Sequence, residues 1–457
     1  MKDKLKGLIP VLSVVPFIIG TFGYIFSGDT ILNSMYASFA LYFVNPVSDE
    51  INLMIEIARW TSPLVTTSII VYSVNKLLVK FRKLIAGFSK NSIAIYSDVD
   101  IKIKFTNKKT VPIYCEKTPM RQAKSHIIMM NSDTESLGFY EKNKKVFKDR
   151  NVYIGLKEID CGLIRDCTNV DFYDIDGAVA RSLWKEIALW KNHKSNDITI
   201  SILGNEHLGQ NILNYGILLN LFSLDQHITY NFIGEGKLYE VAHGEFPTMN
   251  CDKIKYISTY DNSQEIIKHS DIVIISKKVS AEQLSAVGMI CEKGKVYYYA
   301  PDEFEIGKYI QIDNLIPFGK NTDIYTDENI CKNRVIEEAM TQHYNYLLKT
   351  NPNNIGSKKE EWDKLSGFNK QSNISSTDFK TVLKYLGSIG TDVDIMAQLE
   401  HIRWCRFNFI NYWQYGIPNN GTSKDSEKRI HKCLCDFYEL DDYYKNKDYE
   451  IVEEALK

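Results

Sequence analysis

Residues 7–26 hold no charged side chain, and a helix of that length, at about 1.5 Å per residue, spans roughly 30 Å, the hydrocarbon thickness of a bilayer. A second apolar run covers residues 51–75, and its last part, 60–75, is again uncharged. Between them, residues 30–44 place Ile31, Met35, Phe39 and Phe43 at helical spacing and stop before Pro46, which predicts a shorter, re-entrant or interfacial helix. From residue 91 the pattern changes. Short apolar runs at 93–98, 111–116, 125–130 and 151–156 predict strands buried on both faces, with a helix over 134–147 and another over 176–190. The alternation restarts with 197–203, 228–233, 255–258, 271–276 and 295–300, so two α/β units with parallel sheets follow one another. Beyond residue 325 helical periods dominate, with helices predicted over 375–386 and 392–412. The resulting division is a transmembrane hairpin (1–85), two parallel-sheet units (86–194 and 195–324) and a mostly α-helical segment (325–457).

Charge orients the hairpin. No Lys or Arg lies between Lys6 and Arg59. Lys2, Lys4 and Lys6 precede the first run; Lys76, Lys80, Arg82 and Lys83 follow the second; the connector carries Asp29, Asp49 and Glu50. By the positive-inside rule both termini lie in the cytoplasm and the chain is a multi-pass protein of the cell's inner membrane, with the lipid bilayer as a partner. A signal peptide shares the basic start, but this apolar run exceeds an ordinary h-region and no Ala-x-Ala-like site follows Phe26. Glu56 and Arg59 share one face of the second helix, either lining a pore or sitting at the outer interface beside Trp60, with Pro63 as a kink just below. No Thr-Val-Gly-Tyr-Gly filter is present, so potassium selectivity is not supported. A net charge of −2 supplies no global field for nucleic acid, and the nine cysteines lack metal-site spacing.

In the second α/β unit, the strand at 197–203 runs into Gly204-Asn-Glu-His-Leu-Gly209 and then a helix. The layout resembles the cytoplasmic Rossmann-like domains (TrkA-N, or RCK-like) attached to channels and transporters. That resemblance implies cofactor contacts at Gly204, Glu206, Gly209 and Glu235. Glu206, however, stands where the fingerprint has a middle glycine, and a carboxylate there repels a diphosphate. The first unit has no glycine in the matching turn, so it is a degenerate copy.

The C-terminal segment carries Glu361-Trp-Asp-Lys-Leu-Ser-Gly-Phe-Asn-Lys-Gln-Ser-Asn373, then Ala397-Gln-Leu-Glu-His-Ile-Arg-Trp404, then Trp413-Gln-Tyr-Gly416, with Gly416 read as a helix C-cap. His431-Lys-Cys-Leu434 and Lys447-Asp448 follow. Together these motifs resemble the ryanodine receptor repeat (RyR) domain, whose bacterial relatives are joined to Rossmann units and membrane segments. Residue by residue they suit a ligand cup. Glu400, Trp404 and Asn408 share a helix face; Trp362, Trp413 and Tyr415 offer stacking surfaces; His401 and Arg403 can meet phosphate; Ser372 and Asn373 supply short polar groups in a loop before a helix. The competing structural assignment makes the tryptophans packing residues and Glu400 with Arg403 a buried pair.

The resemblance implies a ligand-gated membrane channel or pore-forming effector of bacterial anti-phage defence. Its RyR and Rossmann region would sense a nucleotide-type small molecule, and a homo-oligomer, by analogy a tetramer, would enclose the pore. A membrane-tethered nucleotide sensor without a pore is the alternative, followed by an NAD-dependent oxidoreductase. No catalytic residue or metal site is expected.

Overall fold

The computed structural model describes residues 2–45, 52–98, 101–159, 170–234, 238–247, 250–258, 263–302, 304–331, 334–350, 355–419 and 421–457. The chain divides into two compact units, Met1–Ser89 and Lys90–Lys457.

The first unit is three helices: α1 (Lys2–Phe26), α2 (Ile31–Leu41) and α3 (Leu53–Gly87). Small residues let them meet closely, since a Cβ on Gly20 would stand 2.9 Å from Ser38 Oγ and 3.1 Å from Ala58 Cβ. Tyr42 enters the backbone ladder of α1 beside Pro16, where its hydroxyl accepts from the Phe17 N–H (3.1 Å) and donates to the Ser13 carbonyl (2.6 Å). It thereby bridges the pair of groups that an unbroken helix would bond directly. Asn52 caps α3 and donates to the Gly23 carbonyl at 2.6 Å, tying the start of α3 to α1. Among the described residues α3 is the one helix long and apolar enough to cross a membrane, while Ser13–Phe26 and α2 are shorter apolar stretches. The crossing expected over 7–26 includes side chains outside the described ones.

The second unit holds two parallel sheets. In the first, strands β1 (Ser92–Ser97), β2 (Val111–Cys115), β3 (Ser125–Met129), β4 (Asn151–Leu156) and β5 (Val170–Asp174) take the order β2-β1-β3-β4-β5. Helix α4 (Asp133–Lys142) joins β3 to β4, and α5 (Ile175–Ile187) leaves β5. The second sheet contains β6 (Asp197–Leu203), β7 (His227–Ile233), β8 (Lys253–Ile257), β9 (Ile272–Ile275), β10 (Lys295–Tyr299) and β11 (Leu315–Phe318). Its order, β11-β10-β9-β6-β7-β8, is the doubly wound order of dinucleotide-binding folds, with the switch point between β6 and β9. Helix α6 (His207–Leu219) follows β6. The two sheets are thus alike in architecture but not in strand order. Trp184 of α5, fully buried, donates its indole N–H to the Ile212 carbonyl of α6 at 2.7 Å and so fastens the helix after the first sheet to the helix after β6.

The remaining chain is helical: α7 (Arg334–Thr350), α8 (Gly367–Ser388), α9 (Val393–Ile410) and α10 (Asp442–Leu456). A three-stranded patch of β12 (Gln414–Tyr415), β13 (Lys424–Asp425) and β14 (Ile430–His431) lies between the last two. Ion pairs join this region to the second sheet and to the helix α5 that follows the first. Arg406 of α9 meets Asp252 at 2.8 Å and donates to the Ile217 carbonyl at 2.9 Å. Asp378 of α8 meets Arg181 (2.7 Å) and Lys185 (3.0 Å) of α5.

Candidate ligand-binding site

A cavity of about 530 Å³ opens inside the helical region, a size suited to a small ligand. α8 lines it with Phe368, Asn369, Ser372, Asn373 and Ser376, and α9 with Glu400, Trp404 and Asn408. Both sets recur at helical spacing, so each helix gives one stripe to the cavity. Tyr444, Lys447 and Asp448 of α10 close another side, and Lys424 and His431 come from the small sheet. Trp413 is placed by the end of α9. There the Trp413 N–H bonds the Asn408 carbonyl (2.9 Å) and the Tyr412 N–H that of Phe409 (3.0 Å), with Tyr412 left-handed at φ 64°. This is a Schellman ending, and it turns the chain so that Trp413 stacks on Phe368 with centroids 5.3 Å apart. His431 meets Trp404 edge-on at 5.0 Å.

The charges at the back of the cavity are already paired. Arg403 grips Glu400 with two bonds of 2.7 and 2.8 Å and donates a third, of 2.8 Å, to Ser375 Oγ. Both partners are buried, and burial pushes the Glu400 carboxyl above its usual range against the pull of Arg403. Both ring nitrogens of His401 face acceptors: Nε2 the Cys435 carbonyl at 2.9 Å, Nδ1 the Asp448 carboxylate at 3.4 Å. Only an imidazolium donates at both positions. Burial opposes that charge, yet the contacts with Asp448 and Cys405 prevail and push the pKa up to about 11. His431 behaves oppositely. Burial, reinforced by Lys424, Lys447 and Lys432, brings its pKa down to about 4, and its Nδ1 accepts from the Cys433 N–H at 3.1 Å. Among the described residues Lys424 and Lys447 have no carboxylate within ion-pair distance, so the cavity presents cations, aromatic faces and amides to a ligand.

Ser372, Asn373, Glu400, His401, Arg403, Trp404 and Trp413 therefore come together at one cavity. Several expectations need correction. Trp362 is 3 % exposed and packs with Ala339, Met340 and Ile374 outside the cavity, because α7 covers it. Tyr415 is exposed on β12. Ser372 and Asn373 are not in a loop: Ser366 caps α8 earlier, its hydroxyl accepting from the Asn369 N–H, so both lie within the helix and their N–H groups serve it. Gly416 is not the C-cap, since α9 ends at Ile410 and Tyr412 takes the left-handed position. Arg403 is held by Glu400 rather than left free for phosphate. His431 and Lys447, within the quoted motifs but not assigned to the site, are cavity residues, and so is Phe368.

The β6–α6 turn has the geometry of a nucleotide loop and a different occupant. Gly204 has φ +110°, and a Cβ on Gly209 would run into the Gly204 carbonyl, so both glycines are required by helix–strand packing. Glu206 stands at the N-cap of α6 without bonding a helix N–H through its side chain. Its carboxylate folds over Gly204, 2.7 Å from where a Cβ would stand, and lies 4.0 Å from Lys277 Nζ. A diphosphate approaching α6 would meet that carboxylate first. Glu235 lies outside the described residues.

Comparison with models of known protein families finds no match, and none of the curated proteins matches the chain. Among solved structures, the malic enzyme of Entamoeba histolytica aligns at 12% identity with a TM-score of 0.30, over 92% of this chain and 93% of that one. A likeness at that level carries no argument about activity. What stands is the pair of Rossmann-like parallel sheets with a helical region beside them.

In the first unit Glu56 and Arg59 form a 3.9 Å pair, each about half exposed, and Trp60 Nε1 donates to Glu56 at 3.0 Å. They occupy the first turns of α3, close to its capped end.

Proposed function

We propose that this chain is a membrane-attached receptor for a small nucleotide-type anion, bound in the helical cavity and not chemically altered there. The observation that carries this reading is the division of labour in the cavity. Its acidic groups are tied up in the Glu400–Arg403 and His401–Asp448 pairs. Lys424 and Lys447, which have no carboxylate partner among the described residues, line the same cavity as Trp404 and Trp413, with Lys447 lying over the Tyr443 and Tyr444 rings at 4.6 and 5.4 Å. Stacking on an aromatic side chain contributes about 1–3 kcal/mol per base, and a lysine meets phosphate as a point charge. Isothermal titration of the detergent-solubilised full chain with nucleoside phosphates tests it. Trp404→Ala should weaken binding about tenfold or more, and a folded wild-type protein that binds none of them would refute the proposal.

A second reading extends the first to a ligand-gated channel or pore-forming effector, homo-oligomeric in the inner membrane with both termini cytoplasmic. It is favoured by the Glu56–Arg59 pair, half exposed just before the uncharged stretch 60–75 of α3, where lipid is a poor neighbour for charge. Ligand binding would have to favour the open arrangement by about 5.5 kcal/mol for a near-complete switch. Planar-bilayer recordings should show currents that Arg59→Ala alters in conductance. Silence from folded protein with bound ligand leaves the receptor and removes the pore.

A further inference from the structure

The cavity does not end at Trp413. The Phe368–Trp413 stack is one wall shared with a second space of about 210 Å³, whose far side carries Arg429 and Ser426; Lys424 and Asn369 border both. Arg429 is built into place. Its backbone is left-handed at φ 51°, its carbonyl accepts from the Gln414 N–H (2.9 Å), and its guanidinium lies 5.5 Å from the Tyr412 ring centroid. One of its five N–H donors is used, by Nη1 on the Asn411 carbonyl at 3.1 Å, and among the described residues no carboxylate pairs with it. A guanidinium so held, with donors left over, suits a phosphate's oxygens. The larger chamber has its own cation in Lys447, which does not line the smaller space.

We propose that the ligand is a dinucleotide rather than a mononucleotide: one nucleotide occupies the chamber beside Trp404 and Lys447, and the chain of the ligand passes the Phe368–Trp413 wall to place a second phosphate at Arg429 and Lys424. This inference rests on the receptor assignment above and adds a second anionic subsite to it. One cation cluster suffices for a mononucleotide; two, divided by a stacking wall, match a flat group joined to phosphates at two separated positions.

The test compares adenosine monophosphate with the 5′-phosphorylated linear dinucleotide pApA by calorimetry on the full-length protein in detergent. The dinucleotide should bind about tenfold tighter or better, in line with an added charge-assisted contact. Arg429→Ala should remove most of that advantage and change the mononucleotide's affinity less than twofold, whereas Lys447→Ala should weaken both. Unchanged melting temperatures show that the variants fold. Equal affinity for the two ligands, or an Arg429→Ala effect of the same size on each, overturns the second subsite and leaves the receptor standing. Failure of both ligands to bind the folded wild type overturns both.

Discussion

Arg403 shows how a residue's role changes once its neighbours are known. As a cation one position from Trp404 it suits phosphate, but Glu400, three residues earlier on the same helix, takes two of its donors in a buried pair. Removing the arginine leaves a carboxylate buried without a counter-charge, so Arg403→Ala should lower unfolding free energy by about 3–5 kcal/mol in urea titrations. His401 gives the pH signature. Its folded pKa, pushed up to about 11, lies above the ordinary 6.5, so the stability it contributes is complete below pH 6.5 and is lost as pH rises toward 11. The loss approaches about 1.4 kcal/mol per pH unit where the unfolded state has released its proton and the folded state has not. Denaturation midpoints measured between pH 7 and 10 should fall more steeply for wild type than for His401→Gln.

Elements were legible to different degrees. The strand at Asp197–Leu203 carries Ile198, Ile200, Ile202 and Leu203 between short polar residues and stands where its pattern puts it. β5 and β11 are not legible in the pattern, because Val170–Asp174 sets Asp171 and Asp174 around its two aromatics and Leu315–Phe318 is four residues long with a proline. α8 begins earlier than its apolar period suggests, since its first turns give polar Asn369, Ser372 and Asn373 to the cavity. A binding stripe erases the amphipathic signal that announces a helix. The β6–α6 turn makes the reverse point: its glycines look like a nucleotide fingerprint and act in packing. Gly209→Ala should therefore destabilise by about 1–3 kcal/mol through overpacking against the Gly204 carbonyl. Thermal melts with and without nucleotide should show the same loss.

At the scale of the 90–457 unit, α8 and α9 have two occupied faces. One lines the cavity; the other carries Asp378 and Arg406 into buried pairs with the α/β sheets. Any rearrangement of these helices on ligand binding must therefore disturb ion pairs that join them to α5 and to the second sheet. Asp252 also accepts from the Ile228 N–H (2.6 Å) and Gln226 Nε2 (2.7 Å), so loss of Arg406 strands a charge inside the sheet's own network. Arg406→Ala should destabilise by about 3–5 kcal/mol. Hydrogen exchange should quicken in both α9 and β7, whereas protection lost in α9 alone would mean the pair does not couple them.

The sequence by itself determined which stretches are apolar helix, buried strand or amphipathic helix, because those patterns are written locally at periods of 3.6 and 2. It also put Glu400, Trp404 and Asn408 on one face, which follows from spacing alone. Only the tertiary structure decided which charges are spent on one another, which aromatic rings face the cavity and which, like Trp362, fill a core. It also decided the order of strands in each sheet. These depend on partners distant in the chain, as Asp252 is from Arg406. The free energy of a buried charge or ring depends on what surrounds it, and a one-dimensional pattern does not carry that information.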